Sequence, residues 1–325
     1  MGSPSEQSPA VAFAVVSWNT RELLRACLES LAAEVTAGRA EVWVVDNAST
    51  DASAELVASQ FPWARLIASP DNLGFGAAAN LVAARTSTPW LAIANADTAL
   101  LPGSLAKLLD TGERHPEAGV VAPLLLLGDG TPQHSAYRFP TLPFALAFNL
   151  GLGRVGRRSG ERMLLEGRWA SDRAGTVDWA IGAFLLIRRG AWDRVGGFDP
   201  GQWMYAEDLD LGWRLAAAGW TTYFEPGAAV RHHGGAATSQ LWGDARDARW
   251  LRSTYAWMLR RRGPVIMRGY ALINAAGAAC RMVLYAAPSI ALGDPWPERR
   301  RAMRRWTQLH LANLLASRES FESHR

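Results

Sequence analysis

The feature that most constrains this chain is an alternation, between Val11 and Asp97, of short β-branched runs with helical patterns. Residues 11–17, 41–46, 65–68 and 90–94 read as strands, and 22–33, 52–61 and 76–84 as helices. Such alternation predicts βαβ units and a mostly parallel sheet. The runs Val42-Trp43-Val44-Val45 and Trp90-Leu91-Ala92-Ile93 have no polar face, as strands covered by helices on both sides require. Each leads into a polar cluster holding an aspartate, Asp46 or Asp97. Ligands of open α/β sheets bind outside the carboxyl ends of strands, so both acids stand where a site belongs.

Beyond Asp97 the pattern loosens. Residues 128–143 are rich in turn formers and 151–160 in Gly and Arg, which predicts loops over a cleft. A second ordered block follows: strand-like 177–187, helical 208–218, then strand-like 221–224 and 228–232. After Gln240 amphipathic helical patterns take over. A chain of 325 residues with 49% hydrophobic content can bury one large core with a smaller appendage. The expected organisation is a disordered 1–10, a catalytic domain over 11–239 and a basic amphipathic helical region over 240–325.

The apolar run from Val11 to Trp18 has no preceding basic residue and is too short for a signal sequence, which predicts a cytoplasmic protein. Cys27 and Cys280 both fall in helical stretches, so a disulfide framework is not expected. Charge is uneven: residues 1–239 carry 24 acidic and 19 basic residues, whereas 240–325 carry 6 and 15. A basic region of this kind suits an anionic membrane surface, nucleic acid or simply a solvated helix face. Arg268 and Arg281 interrupt its apolar run from Gly263 to Gly293, leaving segments of about 12 residues where roughly 20 span a bilayer. Basic flanks at Arg260-Arg261-Arg262 and Arg299-Arg300-Arg301, with Trp250, Trp257, Trp296 and Trp306, fit interfacial helices or helices that pack on protein.

Several stretches can carry chemistry. Asp46 precedes Ser49-Thr50-Asp51, which reads as a helix cap, while the aspartate itself can accept from a base N–H or a ribose hydroxyl. In Asn72-Leu73-Gly74-Phe75-Gly76, Gly74 and Gly76 with Ala79 satisfy the dinucleotide pattern G-x-G-x-x-A, and would alone suggest a nicotinamide-dependent oxidoreductase. Two strand-helix units precede this pattern, however, and close packing at a helix entry serves equally well as its reason. Asn95-Ala96-Asp97 beyond a strand end offers oxygen ligands to Mg²⁺ or Mn²⁺. Glu207-Asp208-Leu209-Asp210 crowds three carboxylates into four residues at a helix start, beyond what capping needs, and one of them can serve as a general base. His232 and His233 are candidate ligands or loop residues.

In order and spacing these pieces resemble the nucleotide-sugar-dependent glycosyltransferases of family two, especially the rhamnosyltransferase-like bacterial branch. The resemblance runs from about Val11 to Gly235. It rests on Val15-Val16-Ser17-Trp18-Asn19, Val45-Asp46-Asn47-Ala48-Ser49-Thr50-Asp51, Asn72 to Gly76, Asn95-Ala96-Asp97, and Phe198-Asp199 through Leu211. It implies a GT-A type nucleotide-binding fold with a C-terminal helical region, and an inverting, metal-dependent transfer from a dTDP- or UDP-sugar, with dTDP-rhamnose suggested by the branch. Asp208 is then the catalytic base. Asp46, Asn72, Gly74, Asn95, Asp97, Gly182 and Ala183 serve the donor, Glu207 and Trp179 the acceptor side, and Asp97 with His232 the Mg²⁺ or Mn²⁺. Asn95 stands where the family has an acid, which makes it a weaker ligand. Expected partners are the nucleotide sugar and a glycan or lipid-linked acceptor for cell-surface glycan synthesis, with no nucleic acid. Peripheral contact with the inner membrane face through 240–325, and a homodimer, are compatible with this reading. The alternatives are the oxidoreductase and a nucleotide-sugar-binding protein without catalysis.

Overall fold

A computed structural model describes residues 9–151, 171–234, 245–286, 296–317 and 321. The expected disordered N-terminus, apart from Pro9 and Ala10, lies outside these residues, as do nearly all of 151–160 and the expected domain boundary at 239/240. The described residues form two compact units. One holds those up to Tyr137 together with 171–234; the other holds 138–151 and those from Ala245 onward.

The first unit begins with β1 (Val11–Ser17), α1 (Arg21–Thr36), β2 (Ala40–Asn47), α2 (Ser53–Gln60), β3 (Ala64–Ser69), α3 (Phe75–Ala83) and β4 (Trp90–Asn95). These strands lie side by side in the order β3-β2-β1-β4, all parallel. The reversal of direction on either side of β1 makes the carboxyl ends of β1 and β4 a switch point, the place where such sheets open a crevice. β1 and β4 are apolar along both faces because α1 covers one and α3 the other.

The sheet continues through β5 (Thr98–Leu100), α4 (Ser104–Arg114), β6 (Ala118–Leu126), β7 (Pro132–Gln133) and β8 (Ala136–Tyr137). After these come β9 (Gly175–Val177), β10 (Trp179–Ala180), β11 (Phe184–Arg188), α6 (Arg189–Val195), α7 (Glu207–Ala217) and β12 (Thr221–His232). β11 enters antiparallel between β4 and β6, while β12 runs parallel to β6, so the ten-stranded sheet is parallel in its first half and mixed in its second. The turn-rich 128–143 contains β7 and β8 as well as loops, because their backbone groups pair with β6 and β10.

Two expectations from local pattern are corrected. The strand-like 177–187 is broken at Ile181-Gly182-Ala183, where the chain leaves the small β8-β10 sheet and joins the large one. The runs 221–224 and 228–232 are one strand, whose pairing with β6 slips between Glu225 and Ala229. A bulge at Pro226-Gly227 keeps the strand in the sheet while re-aiming its far end, and that brings His232 opposite Thr98 of β5.

Arginines close open ends within this unit. Arg189 donates to the carbonyls of Ala83 and Thr88 and to the Thr86 hydroxyl, collecting acceptors left at the end of α3. Arg188 lies over the Trp90 ring at 4.4 Å and donates to the carbonyl of Gly112.

The second unit contains α5 (Leu142–Asn149), α8 (Arg246–Leu284) and α9 (Trp296–Leu314). Residues 138–149 thus group with the C-terminal helices, although the sequence pattern had assigned them to the catalytic domain. The reason is local: Asn149 bonds to Asn274 and Arg281, Arg262 donates to the Pro140 carbonyl, and Gly269 and Gly277 leave room for α5 on α8. α8 is kinked at Gly263, whose φ of 83° precedes Pro264. Tyr255 bonds through its hydroxyl to His310 at 2.8 Å, joining α8 to α9. Cys27 on α1 and Cys280 on α8 are free thiols. Among the described residues no helix is long and apolar enough to cross a membrane.

Candidate active site

Two loops are tied together at the carboxyl ends of β1 and β2. Asn19 donates its backbone N–H to the Ser49 hydroxyl at 3.0 Å and accepts from the Thr50 N–H at 2.7 Å. Asp51 accepts from the N–H groups of Arg21 at 2.8 Å and Ser53 at 3.1 Å, the first residues of α1 and α2. One carboxylate therefore caps two helices, and the capping role read for Ser49, Thr50 and Asp51 falls to Asp51 alone. The cross-link leaves Asp46 at the end of β2, opposite Ser17. Its Oδ2 accepts from the Ser49 N–H at 3.1 Å, while its Oδ1 is buried with no hydrogen-bond partner. A buried acceptor left bare costs about 1–3 kcal/mol, which an N–H or O–H on a bound ligand would recover.

Asn72 and Gly74 shape the next loop. The Gly74 N–H donates to Asn72 Oδ1 at 3.0 Å, and Gly74 enters α3 with φ 80°. A Cβ on Gly74 would lie 2.3 Å from the Trp203 carbonyl oxygen, and one on Gly76 would lie 2.9 Å from the Phe198 Cβ. The dinucleotide-like glycines are thus required by close approach of the 198–203 segment, which Trp203 and Asn80 fasten by hydrogen bonds to Asn72 and Phe198.

β4 places Asn95 next to Val16 of β1, and the Asn95 N–H donates to the Ala183 carbonyl at 2.9 Å. One residue back, the Gly182 N–H donates to Asp208 Oδ2 at 2.9 Å, and Leu209 donates to Oδ1 at 2.8 Å. A Cβ on Gly182 would stand 3.2 Å from the Phe75 ring and 3.6 Å from the Asp208 Cβ, so a small residue is needed there. The turn at 181–183 thereby joins the Asp97 strand to Asp208. α7 is entered through Tyr205 and Ala206, both at φ 61°, a left-handed pair of the kind found where function over-determines the backbone.

The three acids of α7 have separate surroundings. Asp210 is fully buried and paired with Arg214 at 2.7 Å, and Arg214 also donates to the Val195 carbonyl at the end of α6. It is structural. Glu207 is buried, its Oε2 lacks a hydrogen-bond partner, and burial followed by the Asp208 charge pushes its pKa well above the usual carboxyl range. Asp208 keeps partial contact with solvent; burial raises its pKa too, against the lowering effect of the Gly182 and Leu209 N–H groups. At Asp208 burial is the main cause of the rise, while the repulsion between the two carboxyls falls on Glu207. Of this linked pair Glu207 is pushed up further, because its own N–H is the one backbone donor that opposes burial, whereas Asp208 has those of Gly182 and Leu209 besides its own.

Asp97 and His232 also meet. Asp97 Oδ1 is 3.3 Å from His232 Nε2, both side chains are buried, and the His233 N–H donates to the Asp97 carbonyl at 3.0 Å. His232 Nε2 has no hydrogen-bond partner, although the ring is 5% exposed. A bare ring nitrogen beside a carboxylate fits a cation. Among the described residues no three His, Cys, Asp or Glu side chains converge as a complete metal site, so phosphate oxygens and water would fill the remaining positions of Mg²⁺ or Mn²⁺. Trp179 is buried in a stack with Tyr137 and His134, and α7 packs on it where Gly212 has no side chain. Little of its ring reaches solvent, so it supports the helix of Asp208 and offers an acceptor little surface. Sequence reasoning assigned no individual role to Asn19, to Asn80 within α3 or to Gln133, single amides whose partners lie 30 or more residues away.

A family model described as glycosyltransferase like family 2 matches residues 9–253. The chain belongs to that family. It is 31% identical over 258 residues to the N-acetylglucosaminyl-diphospho-decaprenol L-rhamnosyltransferase of Mycobacterium tuberculosis, covering 72% of this chain and 83% of that one. It is also 32% identical over 131 residues to rhamnosyltransferase WbbL of Escherichia coli, covering 40% and 46%. The solved mannosyltransferase PcManGT from Pyrobaculum calidifontis, in complex with GDP-Man and Mn²⁺, aligns with a TM-score of 0.59 at 18% identity, over 95% of this chain and 88% of that one. The fold is therefore of the GT-A type and the protein a glycosyltransferase. The nicotinamide-dependent oxidoreductase has no support: its glycines are explained by packing.

The raised pKa of Glu207 makes a stability prediction. A carboxyl whose folded pKa lies above its unfolded value contributes stability below the unfolded pKa, near 4.3, and loses it as pH rises through the folded pKa. Glu207→Gln should therefore match the wild type in thermal stability near pH 4 and exceed it at pH 7 to 8. Equal melting curves at pH 8 would show that Glu207 is not held protonated.

Proposed function

We propose that this glycosyltransferase moves a sugar from a nucleoside diphosphate to an acceptor hydroxyl with inversion, Asp208 acting as base. The observation that carries this is the turn at 181–183, which fixes Asp208 by one backbone bond and the Asp97 strand by the next. An acceptor hydroxyl is a poor nucleophile at neutral pH, so a positioned carboxylate takes its proton as the oxygen attacks the anomeric carbon. The bond from that carbon to the diphosphate oxygen breaks on the opposite face. Glu207, held neutral, keeps a second negative charge away from the incoming hydroxyl. Asp97 and His232 are the residues that would hold Mg²⁺ or Mn²⁺, whose chemistry there is to neutralise charge on the departing diphosphate. Asp46 Oδ1 would accept from the nucleobase, and Asn72, Gly74 and Asn95 would line the donor.

The donor proposed is a dTDP- or UDP-sugar. The mycobacterial relative's name, which specifies L-rhamnose and a decaprenol-linked acceptor, favours dTDP-rhamnose and a lipid-linked glycan in cell-surface synthesis on the cytoplasmic side. We also propose that the helical unit contacts an anionic membrane. In its support, every large hydrophobic side chain exposed among the described residues belongs to this unit, including Val265, Leu272 and Val283 along one face of α8. Trp257 takes no part, because it is fully buried. The exposed arginines of α9, such as Arg300 and Arg304, supply the complementary charge.

Asp208→Asn should lower turnover by about 10²- to 10⁴-fold with donor affinity nearly unchanged. Asp210→Asn should instead cost about 3–5 kcal/mol of stability in urea denaturation while its folded fraction turns over near the wild-type rate. Transfer at the wild-type rate by Asp208→Asn would overturn the mechanism. For the membrane contact, sedimentation with vesicles containing phosphatidylglycerol should occur at low salt and weaken at high salt. A protein left in the supernatant at low salt would refute it.

A further inference from the structure

His232 is aimed by a residue to which no function has been assigned. Gln133, in β7, pairs with Leu125 of β6, and Val230 of β12 pairs with the same Leu125. From this position Gln133 Oε1 lies 2.7 Å from His232 Nδ1. An amide oxygen only accepts, so the ring nitrogen facing it carries the hydrogen. A neutral imidazole has one N–H, which leaves Nε2 as a bare lone pair. That is the atom found buried, without a hydrogen-bond partner, 3.3 Å from Asp97 Oδ1. Two electron-rich atoms face each other across a gap that a cation would bridge.

We infer that Gln133 is a positioning residue that holds His232 as the Nδ1–H tautomer and so keeps the Nε2 lone pair available as a ligand beside Asp97. The inference rests on the proposed reading of these two residues as the metal pair. Its physical content is competition between tautomers. With the hydrogen on Nε2, His232 would donate to Asp97 and each would consume the other; the Gln133 acceptor favours the opposite tautomer. An amide does this without adding charge, whereas a carboxylate would bring a further negative group to the site. Orientation of a ligating imidazole through its second nitrogen is a general device of metal sites.

The test uses the full chain labelled with ¹⁵N-histidine, the His232 resonances being assigned by their loss in His232→Gln. Wild type should show a protonated Nδ1 and a bare Nε2 without metal. Gln133→Leu should shift the hydrogen toward Nε2. It should also weaken Mn²⁺ binding about 10- to 100-fold, read by electron paramagnetic resonance with dTDP present, while melting temperature and metal-free dTDP affinity stay unchanged. Gln133→Glu should retain the Nδ1–H tautomer. A wild-type ring protonated on Nε2 or on both nitrogens would overturn the inference, as would an unchanged tautomer in Gln133→Leu. If the tautomers behave as expected but His232→Gln binds Mn²⁺ like wild type, the reading of His232 as a ligand fails and the hold of Gln133 on the ring stands.

Discussion

The hydrogen bond from the Gly182 N–H to Asp208 is the contact on which the site depends. It reaches α7 from the break between β10 and β11, and the neighbouring Ala183 carbonyl accepts from Asn95 at the end of β4. Two adjacent peptide groups thus set a carboxylate on one element relative to the strand that leads to Asp97. Gly182 can occupy that turn because it has no side chain to press on Phe75. The interruption of a strand that looked continuous is therefore what allows the sheet to deliver backbone donors to a side chain.

Burial then sorts acids that the sequence presents as equivalent. Asp210 faces Arg214 and fastens α7 to the end of α6; Glu207 has a buried Oε2 without a hydrogen-bond partner and the more strongly raised pKa; Asp208 receives the N–H groups of Gly182 and Leu209. In the proposed mechanism this sorting leaves Asp208 as the one carboxylate of the three for the role of base. On the other side of the sheet, the bulge in β12 lines up His232 with β5, and Asp97, one residue before β5, meets it.

Much of this was legible in the sequence, for identifiable reasons. The apolar strands around Val44 and Ile93 announce a sheet covered on both sides, and an aspartate after each marks its carboxyl edge. The helical angle between Asp208 and Asp210 already separates their faces. What was not legible depends on contacts distant in sequence. Gly74 and Gly76 match a phosphate-binding pattern, yet their spacing answers to Trp203 and Phe198, more than 100 residues away. Residues 138–149 carry no mark that ties them to α8, because that attachment depends on Asn149 meeting Asn274 and Arg281. Gln133 sits among turn residues, and only β7 pairing with β6 brings it to His232.

Asp97 and His232 at the sheet edge form the proposed cation site for a nucleoside diphosphate, joined through the 181–183 turn to Asp208. The most direct measurement is anomalous scattering from crystals of the protein grown with Mn²⁺ and dTDP, recorded above and below the manganese edge. One manganese peak is expected within about 2.0–2.6 Å of both the Asp97 carboxylate and His232 Nε2, with diphosphate oxygens completing its shell. A manganese peak on the bound diphosphate but out of reach of both residues would rule out Asp97 and His232 as the metal ligands.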